Sequence, residues 1–129
     1  MFSQKLFENN LKTEFLGRKF HYRPQSTSTN AELWELATLN TIEGTLLLTD
    51  NQQMGKGRRQ SKWKSQKDKS LTFSFLLHPQ LKLDQLGLLP LLMGVSIVRA
   101  IKSILGLKTG LKWPNDIMFD GKKLGGILI

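Results

Sequence analysis

Residues 55–69 of this chain, GKGRRQSKWKSQKDK, hold seven cationic side chains, two glycines and one tryptophan against a single acid, Asp68. Gly55-Lys56-Gly57 lets backbone amides approach an anion closely. Arg58, Arg59, Lys62 and Lys64 add charge-assisted donors, and Trp63 offers a flat surface on which a base can stack. That set suits a nucleotide or another phosphorylated ligand. It also suits a solvated basic loop or a patch touching nucleic acid, so the stretch does not decide alone. Three further pieces join polar to backbone-permissive residues: Ser28-Thr29-Asn30, Lys112-Trp113-Pro114-Asn115-Asp116 and Lys122-Lys123-Leu124-Gly125-Gly126.

Elements must hold these pieces in place. Apolar positions over residues 1–16 recur at a weak helical spacing that Gly17 could cap. Residues 19–22 suggest a short strand. Residues 31–37 follow a helical pattern, with Ser28 as N-cap or Thr29 and Glu32 as a capping box. Such capping by itself explains the hydroxyls, although a helix N-terminus is also a ready site for polar ligand groups. Residues 44–49 form a buried-strand pattern, and residues 49–71 then read as a long loop because alternation is absent. Residues 71–77 alternate Leu71, Phe73, Phe75 and Leu77 against Thr72 and Ser74, a strand signal. Asp84 can cap a helix over 85–105, which Pro90 kinks or restarts. Its first half is apolar nearly all round, implying burial against a sheet, while Arg99 and Lys102 face outward. Residues 110–113 read as a strand, and Asp120-Gly121 marks a hairpin between 117–119 and 122–129.

The totals narrow the classes. A chain of 129 residues with 40% apolar and 22% charged content suits one modest globular core. Its formal net charge of +9 favours anionic partners. Lacking Cys, the chain can form no disulfide, Cys-based zinc site or thiol nucleophile, which is compatible with a reducing, cytoplasmic setting. No secretory signal opens the sequence, and the uncharged run over 85–96 is too short to span a bilayer, so no membrane role is expected. His21 and His78 stand at no catalytic or metal spacing and are read as structural. The last six residues, LGGILI, carry no polar side chain, the pattern expected of the N-terminal part of a larger protein or of a truncated product.

Taken in order, STN, GKGRRQSKW, KWPND and KLGGIL resemble the motifs of the biotin protein ligases, the biotin–[acetyl-CoA carboxylase] ligases, over residues 19–129. The resemblance implies activation of biotin by MgATP to biotinyl-5′-AMP, then transfer to a lysine of the biotin carboxyl carrier protein of acetyl-CoA carboxylase. Neither step needs a protein nucleophile. Both need cations and donors, because a carboxylate and a phosphate must meet. Position by position, the resemblance implies that Ser28, Thr29 and Gln52 hydrogen-bond the biotin ureido ring and that Asn30 holds the local backbone. It further implies that Gly55, Lys56 and Gly57 bring loop amides to the ligand, and that Gly125 and Gly126 give biotin's chain room. Arg58 is expected near carboxylate and phosphate, Arg59 either in a structural role or facing the nucleotide, Trp63 over adenine, and Lys112 and Asn115 at the phosphates. Lys123 is expected to bridge biotin's carboxylate and the α-phosphate, so Lys123, Arg58 and Lys112 form the catalytic set. Asp116 could assist with Mg2+ or order the turn.

Two departures stand out: Lys56 replaces a frequent Arg, which loses the planar fork, and Gln60 replaces a frequent Gly. The fold implied is α+β (mixed α/β), a central mixed β-sheet flanked by helices, like class II aminoacyl-tRNA synthetases and biotin ligases and incomplete at its C-terminus. The domain reading is a partial catalytic domain over 1–129, with a helical segment at 1–18 and a basic ligand-binding loop at 49–71. No helix-turn-helix pattern precedes residue 19, so specific DNA binding is not expected; a homodimer is allowed. Two other readings compete: lipoate–protein ligase-like acyl adenylation, and a non-enzymatic basic nucleic-acid-binding module.

Overall fold

The computed structural model describes residues 2–129, which divide into two compact units, 2–79 and 80–129. The first begins with helix α1 (Gln4–Asn10), capped by Ser3, whose Oγ accepts from the Leu6 N–H. This helix is shorter than the 1–16 pattern suggests, and Gly17 does not cap it. Gly17 sits instead in a turn at φ +78°, with its N–H bonded to the Gly44 carbonyl at 2.7 Å. The apolar positions of 1–16 serve packing beyond the helix: the ring of Phe7 lies 4.7 Å, centre to centre, from that of Phe20.

Strand β1 (Phe20–Arg23) pairs in parallel with β2 (Leu46–Thr49), and the connection between them carries helix α2 (Thr29–Ala37). All four residues of β2 are buried, the apolar run Leu46–Leu48 as its pattern predicts and Thr49 with it. After β2, the basic stretch holds a small hairpin of β3 (Gly55–Lys56) and β4 (Lys62–Trp63), joined by a 3-10 turn at Arg58–Gln60. The expectation of a loop without elements is thus corrected; two-residue strands are too short to leave a periodic signal. Strand β5 (Thr72–Phe75) closes a mixed three-stranded sheet, antiparallel to β2, in the order β1-β2-β5. Leu33 of α2, Leu47 and Leu76 form the core, with Leu36 and Ala37 packed against it. The alternation over 71–77 locates the strand, but its apolar row is not the face beneath α2. Phe73 is exposed, while Ser74 and Leu76 lie on the other face, with Ser74 bonded to α2.

In the second unit a 3-10 turn (Leu83–Leu88) leads into α3 (Leu89–Leu105). Pro90 restarts the helix, lying at its first turn where a missing N–H breaks no bond. Asp84 consequently falls inside the 3-10 turn and does not cap α3. Gly106, at φ +68°, ends the helix with its N–H on the Lys102 carbonyl. Gly94 is the buried residue of α3: a Cβ there would stand 2.7 Å from Leu111 Cδ2 and 3.5 Å from Ile127 Cδ1. Arg99 and Lys102 face solvent as expected. Burial of the helix's first half is corrected, since Leu88 and Leu92 are exposed. The 23-residue helical run Leu83–Leu105, mean hydropathy 1.8, is long and apolar enough to cross a membrane by length and composition, beyond the 85–96 run weighed from sequence. Here α3 packs on its sheet through Gly94. Strands β6 (Gly110–Lys112), β7 (Asp116–Phe119) and β8 (Lys122–Gly126) form an antiparallel meander. Asp120 and Gly121 both take positive φ, 48° and 71°, as a two-residue hairpin turn of this twist requires.

Candidate active site

The first unit gathers its site residues at the N-terminus of α2. Ser28 is the N-cap, its Oγ accepting from the Ala31 N–H. Glu32 does not box with Thr29. It reaches back past the cap, accepting from Ser26 Oγ at 2.7 Å and the Thr27 N–H at 3.0 Å. Thr29 points inward, 3% exposed, and is wired to Gln52 in the stretch that follows β2. Gln52 Oε1 accepts from the Thr29 N–H at 2.8 Å and from Thr29 Oγ1 at 3.2 Å. Ser74 joins them, with its Oγ 2.8 Å from Thr29 Oγ1 and its hydroxyl donating to Asn30 Oδ1. Ser28, Thr29 and Gln52 are thus brought together as expected, and Asn30 meets a neighbouring strand. Ser74 was not foreseen, because a serine alternating with threonine on a strand carries no mark of a site.

Gln52 is held by its backbone as well. It forms a parallel bridge with Ser26, in which the Ser26 N–H donates to the Asn51 carbonyl and the Gln53 N–H to the Ser26 carbonyl, at 3.0 and 2.9 Å. Gly55 closes the other side. A Cβ on it would press on Gln52 Nε2 and stand 2.7 Å from the Trp63 carbonyl oxygen, so only glycine allows β3 this close. With Gln52 Oε1 engaged by Thr29, its amide nitrogen remains toward Gly55 as donor. Buried hydroxyls and a carboxamide without buried charge suit an uncharged polar ring with both donors and acceptors.

Around that neutral centre the cations stay in water. Lys56, Arg58 and Arg59 are exposed, whereas Trp63 is half-buried, directly opposite Gly55 in the hairpin. Gly57 turns the chain, its N–H bonded to the Ser61 carbonyl at 2.7 Å. Arg59 and Gln60 both occupy left-handed backbone, φ 53° and 62°. The Gln60 position is therefore one where the frequent glycine would relax the turn. At the foot of the stretch Tyr22 donates to the Asp50 carboxylate, and that bond, with burial, raises the phenol's pKa.

The second unit carries the remaining candidates on its meander. Lys112 ends β6 and is exposed. Asn115 exchanges two bonds with Ile127: its Nδ2 donates to the Ile127 carbonyl and its own carbonyl accepts the Ile127 N–H, both at 2.9 Å. This pairing fixes the turn containing the cis Trp113–Pro114 bond. Asp116 forms an ion pair with Lys123, 2.7 Å from Oδ1 to Nζ. Lys123 also lines a cavity of about 320 Å³ with Phe119, Asp120, Lys122 and Leu124. Gly125 faces Ile117 at ordinary contact distance, 3.6 Å from a built Cβ, so its lack of a side chain leaves room rather than relieving a clash. Gly126 is exposed at the end of β8. Among the described residues no group of three or more His, Cys, Asp or Glu could hold a metal by itself. A lone carboxylate such as Asp116 still fits Mg2+, which ordinarily takes one or two carboxylates plus substrate phosphates.

Residues 21–129 match the family model described as Biotin/lipoate A/B protein ligase family. The "Bifunctional ligase/repressor BirA" of Bacillus spizizenii is 41% identical over 118 residues, covering 92% of this chain and 36% of that protein. The "Biotin--[acetyl-CoA-carboxylase] ligase" of Mycobacterium tuberculosis is 29% identical over 133 residues, 95% of this chain and 50% of its own. Among solved structures, the biotin protein ligase from Aquifex aeolicus in complex with biotin and ATP superposes with a TM-score of 0.76 at 39% identity. That match covers 86% of this chain and 46% of the other. The chain therefore spans between about a third and a half of these relatives.

Proposed function

The chain belongs to the biotin/lipoate A/B protein ligase family, and on that premise we propose that it carries part of the active site of a biotin–protein ligase. In the reaction proposed, biotin's carboxylate attacks the α-phosphorus of ATP and pyrophosphate leaves, giving biotinyl-5′-AMP. A lysine amine of the acceptor then attacks the mixed anhydride, forming the biotinyl amide and releasing AMP. The acceptor proposed is the biotin carboxyl carrier protein of acetyl-CoA carboxylase.

The observation that carries this reading is the Thr29–Gln52–Gly55 cluster, a buried and neutral hydrogen-bonding centre beside an exposed cationic hairpin. A ureido ring is uncharged with two donors and one acceptor, which matches such a centre; the anions of ATP match the cations. Ser28, Thr29 and Gln52 would bind the ureido group, and Asn30 would keep Ser74 and the helix start in register. Gly55, Lys56 and Gly57 would present the hairpin backbone to biotin. Arg58 and Arg59 would meet the phosphates, and Trp63 would stack on adenine. In the second unit Lys112 and Asn115 would face the nucleotide, and Gly125 and Gly126 would leave space for the valeryl chain. Lys123 would leave Asp116 to neutralise carboxylate and α-phosphate as they approach. Mg2+, when bound through Asp116 and the phosphates, would supply further charge neutralisation.

Biotin-dependent exchange of pyrophosphate into ATP tests the proposal in the intact protein. Lys123→Ala should lower the exchange rate about a hundredfold or more, the scale seen when one charge-stabilising donor is removed. Exchange without biotin, or exchange undiminished by that substitution, would sink it. Exchange supported by lipoate and not by biotin would move the assignment to the other branch of the family.

A further inference from the structure

We propose that Ser65, which lies outside the motifs, is a positioning residue that latches Gln52 for ligand binding. This role rests on the biotin-site reading given above. In the parallel bridge between Ser26 and Gln52, the bonds to Ser26 come from the residues flanking Gln52, namely the Asn51 carbonyl and the Gln53 N–H. Gln52's own N–H and C=O therefore point away from Ser26, to the side where a further strand would pair. No strand takes that place among the described residues. A single hydroxyl does: Ser65 Oγ accepts from the Gln52 N–H at 2.8 Å and donates to the Gln52 carbonyl at 3.0 Å.

This geometry has a consequence for the binding centre. Gln52 is 9% exposed, so losing the hydroxyl would leave both backbone groups short of partners in a place water reaches poorly. The same residue aims its carboxamide between Thr29 and Gly55. A backbone free to rotate would misdirect that carboxamide. Ser65 also stands two residues after Trp63, so the latch ties the end of the cationic hairpin to the floor of the neutral centre. One hydroxyl serves both backbone groups, a role that alanine, with neither donor nor acceptor, does not fill.

The test compares Ser65→Ala with Ser65→Thr, which keeps the hydroxyl. Hydrogen exchange read amide by amide in the ligand-free intact protein should show the Gln52 N–H losing protection about tenfold in Ser65→Ala. Exchange at Gln53 and Met54, bonded to the Ser26 and Thr27 carbonyls, should stay as in wild type. The dissociation constant for biotin should rise about tenfold in Ser65→Ala and return toward wild type in Ser65→Thr. In a Gln52→Ala background, Ser65→Ala should add little, because no carboxamide is left to position. Should the alanine variant unfold, Ser65→Cys gives the same comparison with a weaker donor and acceptor.

Unchanged Gln52 exchange overturns the latch. Biotin affinity within twofold of wild type, or a penalty that simply adds to that of Gln52→Ala, overturns the positioning role while leaving the ligase reading intact. If wild-type protein binds no biotin, the proposed function falls with the positioning role, and the exchange data decide the latch by themselves.

Discussion

Gly55 shows how much one position can constrain. Its missing side chain is what lets Gln52 Nε2 and the Trp63 carbonyl crowd the same volume. Gly55→Ala should push β3 off Gln52 and weaken biotin binding by about tenfold or more, since overpacking costs roughly 1–3 kcal/mol; titration calorimetry would measure it. Gly125→Ala, by contrast, meets only ordinary contacts with Ile117 in the ligand-free fold. His21, on β1, is a different kind of residue. Burial first, then Lys19 and Arg23, hold its pKa below the ordinary 6.5. Above that value the imidazole is neutral in both folded and unfolded chains and has no pH effect. Below it the unfolded chain takes the proton first, so stability should fall with pH until the lowered folded pKa is passed. Melting temperatures from pH 7 downward should decline less steeply in His21→Asn.

At the scale of elements, β2 is the strand on which the first unit depends. It pairs on both edges and buries every residue, with Leu47 fully inaccessible. Leu47→Ala should cost about 2–5 kcal/mol, as deep leucine truncations do, and urea denaturation would read the loss directly. The continuous run Leu46-Leu47-Leu48 made that strand legible, as Asp120-Gly121 did for the β7–β8 hairpin. The β3–β4 hairpin was not legible, because four paired residues cannot display a period. Nor did periodicity reveal that Ser74, on the polar side of β5, would be the residue bonded to Thr29. Alternation separates two faces of a strand, but only packing decides which face a helix covers. The α3 helix makes the same point: its apolar residues announce a helix, yet Gly94 alone is buried against β6 and the residues after β8.

At the scale of the whole chain, the cations lie at the surface and the buried hydrogen-bonding centre is neutral. The net charge of +9 rests on exposed side chains, while the Thr29–Gln52 centre is buried and neutral. If the basic surface serves phosphates of a bound nucleotide, affinity for unrelated DNA should be weak and should fall steeply with salt, by roughly tenfold or more between 50 and 200 mM for a few phosphate contacts. Filter binding across that range would check it, and tight salt-insensitive binding would favour a nucleic-acid module instead. The sequence by itself determined the family, the α+β class and the central strand, and it nominated site residues by motif. Each of these depends on local residue type, order and spacing, which a linear chain displays openly. Only the tertiary structure decided that Ser28 caps alone while Glu32 braces the turn before it, that Gln52 is wired to Thr29 across 23 positions, and that Ser65 and Ser74 hold them there. Those relations are distances between residues remote in sequence, and a hydroxyl's partner is set by which elements pack beside it.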